Sequence, residues 1–165
     1  MAKKKKTKSG MISTSQTVAE NKKARFDYEI LDIFEAGIML KGSEVKSLRL
    51  SQCSIKESYV GVKDGEVWIF NLNISEYSQA GVHLQHHTTR PRKLLLHKRE
   101  IGKIMGAIAR QGMTMVATKI YFNEHGKAKL EIALAKGKKQ HDKRQTEKNR
   151  DWGKQKQRLL KTSRE

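Results

Sequence analysis

The sequence predicts a mainly β protein: an OB-like antiparallel β-barrel with short flanking helices, a disordered basic N-terminus and a basic C-terminal tail. Three observations predict it. Charge is concentrated at the ends: residues 1–25 carry a net +7 and residues 136–165 a net +8, which leaves only +3 of the total +18 for the 110 residues between. That middle holds about six segments with strand-like alternation or apolar density, separated by Gly-, Asn- and Asp-rich turns. Only two segments have a helical period. Such a tally suits one small barrel plugged or flanked by a helix, although pattern alone also fits another small α+β fold.

The elements follow in chain order. Residues 1–20 are rich in Lys, Ser and Thr without periodicity, which marks a disordered arm. The barrel is expected over residues 21–135, and the tail over 136–165. Phe26, Tyr28 and Ile30 alternate with polar residues and open a strand that runs to about Glu35. Gly37 marks a bend or bulge before Ile38 and Leu40 resume the alternation. Ser43–Leu50 reads as a short helix behind a Ser43 cap. Ser54–Val62 and Glu66–Ile74 are strands joined by the tight turn Lys63-Asp64-Gly65. In the second of these, Val67 and Ile69 lie on one face and Trp68 and Phe70 on the other, which calls for cover on both sides or for an aromatic platform; cover on both sides is the favoured reading. Ser75–Arg90 is loop-like. Ile101, Ile104, Met105 and Ile108 place an amphipathic helix over Lys98–Gln111, with Gly112 as its left-handed terminus. Thr114–Phe122 and Lys127–Ala135 form a hairpin across Asn123-Glu124-His125-Gly126.

A near-neutral body with two basic arms points to a polyanionic partner, because Lys and Arg displacing counterions from phosphates supply the sequence-independent part of nucleic-acid affinity. Other classes find little support. Cys53 is the only cysteine, so no intramolecular disulfide forms, in keeping with a reducing cytoplasm. No run of about 18 apolar residues occurs, so no membrane-spanning helix is expected. His83, His86 and His87 cluster without a carboxylate or cysteine at ligand spacing, which indicates a polar solvated loop and no metal site. No nucleophile elbow, phosphate loop or metalloprotease motif is present. His141-Asp142 sits in a Lys-rich tail with no apolar pocket to tune a pKa. The expectation is therefore a protein that is not an enzyme and uses no cofactor. In the tail, Lys148, Arg150, Lys154, Lys156, Arg158 and Lys161 recur within helical reach around Trp152, with too little apolar surface to fold alone. Folding onto a partner is the favoured reading of these residues, with a merely solvated tail as the alternative.

Longer strings narrow the field. Asn21-Lys22-Lys23-Ala24-Arg25 leads into the first strand. Phe34-Glu35-Ala36-Gly37-Ile38 precedes Gly42-Ser43-Glu44-Val45-Lys46-Ser47-Leu48-Arg49. Ser58-Tyr59-Val60, Arg92-Lys93-Leu94-Leu95-Leu96 and Ala135-Lys136-Gly137-Lys138-Lys139-Gln140-His141-Asp142-Lys143-Arg144 follow in order. Over residues 20–165 the chain closely resembles the small protein B family, the tmRNA-binding proteins of bacterial trans-translation. The resemblance implies a cytoplasmic, non-catalytic protein that binds the tRNA-like domain of tmRNA and supports its aminoacylation by alanyl-tRNA synthetase. It then delivers the RNA, with elongation factor Tu, to stalled ribosomes. On these positions it implies a tmRNA-gripping set of Asn21, Lys22, Lys23, Arg25, Glu35, Arg92, Lys93 and Leu94. It also implies a tail element of Gly137, Lys138, Lys139, His141, Asp142, Lys143, Arg144 and Trp152, helical in the empty mRNA channel at the small-subunit decoding centre. Residues 1–20 are not expected to follow the family. The alternative is a ribosomal or general single-strand RNA-binding OB protein, which would need an open aromatic stacking platform. Glu35 is also readable as an ordinary exposed strand-end acid.

Overall fold

The computed structural model describes residues 14–138, 151–152 and 155–156. Nine strands and three α-helices follow in the order β1 Gln16–Glu20, α1 Lys22–Asp27, β2 Tyr28–Ile38, α2 Gly42–Arg49, β3 Cys53–Ser54, β4 Tyr59–Lys63, β5 Glu66–Phe70, β6 Asn73–Ile74, β7 Arg92–Leu95, α3 Lys98–Gln111, β8 Thr114–Phe122 and β9 Ala128–Gly137 among the described residues. A 3-10 turn, Val82–Leu84, lies between β6 and β7.

Antiparallel pairing runs β8-β4-β5-β7-β2-β9, and β9 returns to β8 to close the ring. β1 shares one edge of β8 with β4: Gln16–Glu20 takes the Lys119–Phe122 end, while Val60 opposite Met115 takes the other. Closure requires curved strands, and bulges supply the curvature. The register of β2 on β9 shifts between Ile30 and Asp32, and that of β8 on β9 between Ala117 and Lys119. The bulge expected at Gly37 is therefore displaced to Leu31; Gly37 stays in the ladder, opposite Lys129 and Leu95.

Alternation along each strand fills the ring. Phe34, Ala36 and Ile38 of β2 point inward with Val67 and Ile69 of β5, Leu94 of β7, Ile120 and Phe122 of β8, and Leu130, Ile132 and Leu134 of β9. Leu48 of α2 and Ile104 of α3 join this core. Removing these side chains from water is the main force holding the closed ring. α3 has the boundaries its period predicts, and Gly112 closes it in the left-handed region at φ 58°. The β4–β5 turn places Asp64 and Gly65 at positive φ, 54° and 72°. Both central residues at positive φ match the right-handed twist of the flanking strands.

Three local expectations change. Structure begins before residue 21, since β1 pairs along β8; Thr17-Val18-Ala19 is too short a signal to stand out of a polar arm. Phe26 and Asp27 complete a helix instead of opening a strand. Asn21 caps that helix, its Oδ1 accepting from the Ala24 amide at 3.1 Å, and Ala24 packs against Val116, Ala133 and Ala135 on the outer wall. Ser43 does not cap α2. Glu44 does that work, accepting from the Lys41 amide at 2.6 Å, while the Ser43 hydroxyl lies 3.0 Å from His86 Nδ1.

Candidate nucleic-acid interface

The outer wall of β2, β9 and β8 carries two linked polar clusters. Glu35 projects outward from β2 opposite Glu131 of β9. The Tyr121 hydroxyl donates to Glu35, and Lys129 Nζ lies 3.2 Å from it. The two donors hold the Glu35 carboxyl below its ordinary range, the Tyr121 hydrogen bond first and the Lys129 hydrogen bond second. Tyr121 is pushed up to about 12 by burial and then by Glu35, so the phenol keeps its proton and donates. An ionised carboxylate accepts only, and its four lone-pair sites exceed these two donors. About half of the Glu35 side chain remains exposed, so it can take a further donor from a partner.

Glu131 anchors the second cluster. Lys119 Nζ lies 3.2 Å and Arg25 Nη2 3.9 Å from its carboxylate, and the Thr118 hydroxyl donates to it at 2.8 Å. α1 lies over this wall, with Lys22, Lys23 and Arg25 exposed. An open groove of about 620 Å³ runs beside Glu35, with Lys127, Lys129, His97 and Leu95 among its lining residues. Lys119, Tyr121, Lys127 and Lys129 are absent from the sequence-derived set. The alternation of β9 carried the signal for one of them: with Leu130, Ile132 and Leu134 inward, Lys129 must face out.

Other members of the expected set divide. Asn21 is largely buried by its capping role, and its backbone N–H donates to the Thr118 carbonyl at 2.7 Å. Lys93 is half-buried and lies 3.1 Å from Glu66. Arg92 and Leu94 are both fully buried, so neither side chain reaches the surface. Leu94 belongs to the core. Arg92 lies 2.9 Å from Glu44, itself fully buried, and donates to the Leu72, Arg90 and Thr88 carbonyls. Arg90 adds two contacts to Glu44, at 2.8 and 2.6 Å. Burial alone would raise the Glu44 pKa; Arg90, the Lys41 amide and Arg92 outweigh it, and the net shift is downward. This is an internal brace tying α2 to β7.

The histidine cluster also divides. His83 and His87 are exposed, but His86 is buried, with Nε2 donating to the Ile74 carbonyl at 3.0 Å. The two faces of β5 differ in degree: Val67 and Ile69 are sealed inside, whereas Trp68 and Phe70 are half-buried, with Trp68 Nε1 itself inaccessible. Phe70 stacks on Tyr59 of β4 with ring centroids 5.1 Å apart and planes 16° apart.

In the tail element, Gly137 ends β9 opposite Tyr28, and the Lys138 amide donates to the Asp27 carbonyl at 3.1 Å. Asp151 and Trp152 have helical backbone, with Trp152 71% exposed. Lys139, His141, Asp142, Lys143 and Arg144 lie outside the described residues.

A closed OB-like barrel with a base-rich wall and an acceptor ready for a further donor belongs to the class of folds that bind nucleic acids. The comparison with known proteins then specifies the family. The SmpB protein family model matches residues 18–162. The SsrA-binding protein of Afipia carboxidovorans is 61% identical over 145 residues, 88% of this chain and 92% of the relative. That of Allorhizobium ampelinum is 59% identical over 150 residues, 91% and 94% of the two chains. A solved structure described as "tmRNA-SmpB: a journey to the center of the bacterial ribosome" matches with a TM-score of 0.61 and 48% identity, covering 74% of this chain and 85% of its counterpart. The chain belongs to the SmpB protein family.

Proposed function

We propose that this chain binds tmRNA through the outer wall of β2, β8 and β9 and brings it to stalled ribosomes as a non-enzymatic adaptor. One observation carries the reading: in a protein of net charge +18, Glu35 is held ionised and half exposed on the wall that α1 covers with bases. A carboxylate there repels phosphate, so its place is explained by accepting from a base edge or a ribose hydroxyl. Lys22, Lys23, Arg25 and Lys129 would supply phosphate contacts around it, and Lys93 a peripheral one. Arg92 and Leu94 act through the brace and the core. Asn21 acts by fixing α1. The relatives' name supports tmRNA as the ligand.

The finer steps belong to the same proposal. The tRNA-like domain is the part gripped, and elongation factor Tu and alanyl-tRNA synthetase act on the same RNA. The element from Gly137 through Trp152 enters the vacant mRNA channel near the decoding centre. A chain ending at Lys138 keeps β9 and its bond to Asp27. It should retain most affinity for the tRNA-like domain in filter binding and yet fail to support peptide tagging on stalled ribosomes. Loss of RNA binding on that truncation would refute the division between barrel and tail.

The alternative, a general single-strand binder, gains one observation: Tyr59, exposed and backed by the half-buried Phe70, is an aromatic platform of the kind it requires. Filter binding at about 0.2 M salt separates the readings. A general binder ranks tmRNA, tRNA and poly-U by length and charge; the proposed adaptor prefers tmRNA.

A further inference from the structure

The stacked pair on β4 and β5 lies across the ring from the β2–β9 wall, and the interface described above does not use it. Its architecture is specific. Tyr59 and Phe70 are directly opposed in the ladder, and the Phe70 ring leans over Gly61, where a Cβ would come within 3.3 Å of it. Gly61 thus makes room for Phe70 to lie flat beneath Tyr59. Tyr59 is 54% exposed, an unusual place for a large ring with a rigid aromatic backing.

Beside Tyr59 is a separate pocket of about 210 Å³, bounded by Asn21, Lys23, Asp27, Lys56 and Thr114 among others. It is smaller than the cavities that hold drug-sized ligands. Two lysines, Lys23 from α1 and Lys56 from the β3–β4 connection, flank it. Asn21 is more than nine-tenths buried at its wall, with Oδ1 committed to the Ala24 amide. The pocket therefore offers a stacking surface and two cations in a space suited to a single base.

We propose that this pocket captures one unpaired nucleotide of RNA, its base stacked on Tyr59 and its phosphate between Lys23 and Lys56. Every base has a π-face, and stacking on an exposed aromatic is the usual way an OB-type surface holds an unpaired base. The flanking lysines match a phosphate and disfavour a basic or apolar peptide occupant. α1 joins the two RNA-facing regions: Arg25 reaches Glu131 on one side and Lys23 reaches the pocket on the other. From Tyr121 to Thr114 along β8 the separation is seven residues, roughly 23 Å. A single RNA could therefore engage Glu35 and leave an unpaired nucleotide at Tyr59. This inference rests on the RNA-binding reading above and adds a second contact to it.

The test uses the full-length chain and two RNA probes, the tRNA-like domain of tmRNA and a hexauridine with one 4-thiouridine. Irradiation of the wild type with the hexauridine should cross-link a peptide containing Tyr59. Tyr59→Ala should weaken hexauridine binding by about 5- to 100-fold, and Tyr59→Phe, which keeps the ring, should stay within about 2-fold. Lys56→Gln should lower the salt dependence of binding by about one phosphate contact. Thermal melts of the three variants check that the barrel is intact. If Tyr59→Ala binds both probes like the wild type while Glu35→Ala weakens the tRNA-like domain, the pocket proposal is overturned and the interface reading stands. If the wild type binds neither probe, both fall together.

Discussion

Two carboxylates on this barrel, Glu44 and Glu35, each sit among bases, and they differ in one respect that sets their roles. Glu44 is sealed between Arg90 and Arg92 with every oxygen engaged. Glu35 meets Tyr121 and Lys129 among the described residues and stays half exposed. Both carboxyls are held below their usual range, so the pKa does not separate them; access does. A buried ion pair braces the chain and offers nothing to a partner, and breaking it leaves an uncompensated charge in the interior. An exposed one contributes little to stability and keeps its capacity to bind. Family resemblance places Arg92 and Glu35 in one functional set; burial separates them.

The largest expected effect tests the brace. Arg92→Met keeps the volume but leaves the buried Glu44 with Arg90 as its one guanidinium partner and removes the donor to the Leu72, Arg90 and Thr88 carbonyls, so it should destabilise folding by about 3–5 kcal/mol in urea denaturation. Replacing Glu44 with Gln in the same background should recover part of that loss. If Arg92→Met were as stable as the parent but could not bind RNA, the roles assigned to the two clusters would be reversed.

Next comes Glu35→Ala. It removes a negative charge from a basic protein, so a purely electrostatic surface would bind RNA more tightly. The proposed acceptor role predicts weaker binding of the tRNA-like domain by about 1–3 kcal/mol, with stability within about 0.5 kcal/mol of the parent. Tighter binding would make Glu35 an ordinary strand-end acid.

The pH dependence sharpens the same contrast. Glu44 has a folded pKa depressed below its ordinary 4.5. Its stabilising contribution is therefore present above pH 4.5 and lost as pH falls through the lower, folded value. The stability difference between parent and Glu44→Gln should stay constant from pH 7 to about 5 and shrink below that. Glu35→Gln should show little such change in stability, because its pair is solvent-screened. The smallest effect is expected for Lys93→Gln, which breaks a partly exposed pair with Glu66; stability should change by less than about 1 kcal/mol.

What the sequence shows and what it hides follow the range of the forces involved. α3 and β8 were legible to the residue because their apolar spacing is local and long. The Asn123–Gly126 hairpin was legible because Asn123 both opens the turn and accepts from the amides of His125 and Lys127. The burial of Arg92 was not legible because its partner lies 48 positions away, and a basic residue beside another gives no sign of burial. α1 is six residues long with one buried position, too short for a period, although the Asn21 cap was in plain view. His86 looked solvated for the same reason as Arg92: Ser43 and Ile74, which enclose it, are distant in sequence. The cluster around Glu35 was half visible. The acid came from the resemblance, but Tyr121 and Lys129 enter only when β8 and β9 are folded against β2.

The closure of the ring through β9 also sets when the barrel can fold. β2 finds its long partner only where Tyr28 meets Gly137 and Gly37 meets Lys129, pairings separated by about a hundred residues. Such non-local pairing is the slow kind, since loop entropy must be lost before any contact rewards it. At a synthesis rate of about 5–20 residues per second, β2 waits on the order of 5–20 s for β9 to be made. Throughout that interval Phe34, Ala36 and Ile38 have no completed core to enter, and one edge of an eleven-residue strand stands open to other chains. The nascent protein is thus exposed to aggregation until β9 has emerged, and the pairing of β9 with β2 ends the risk.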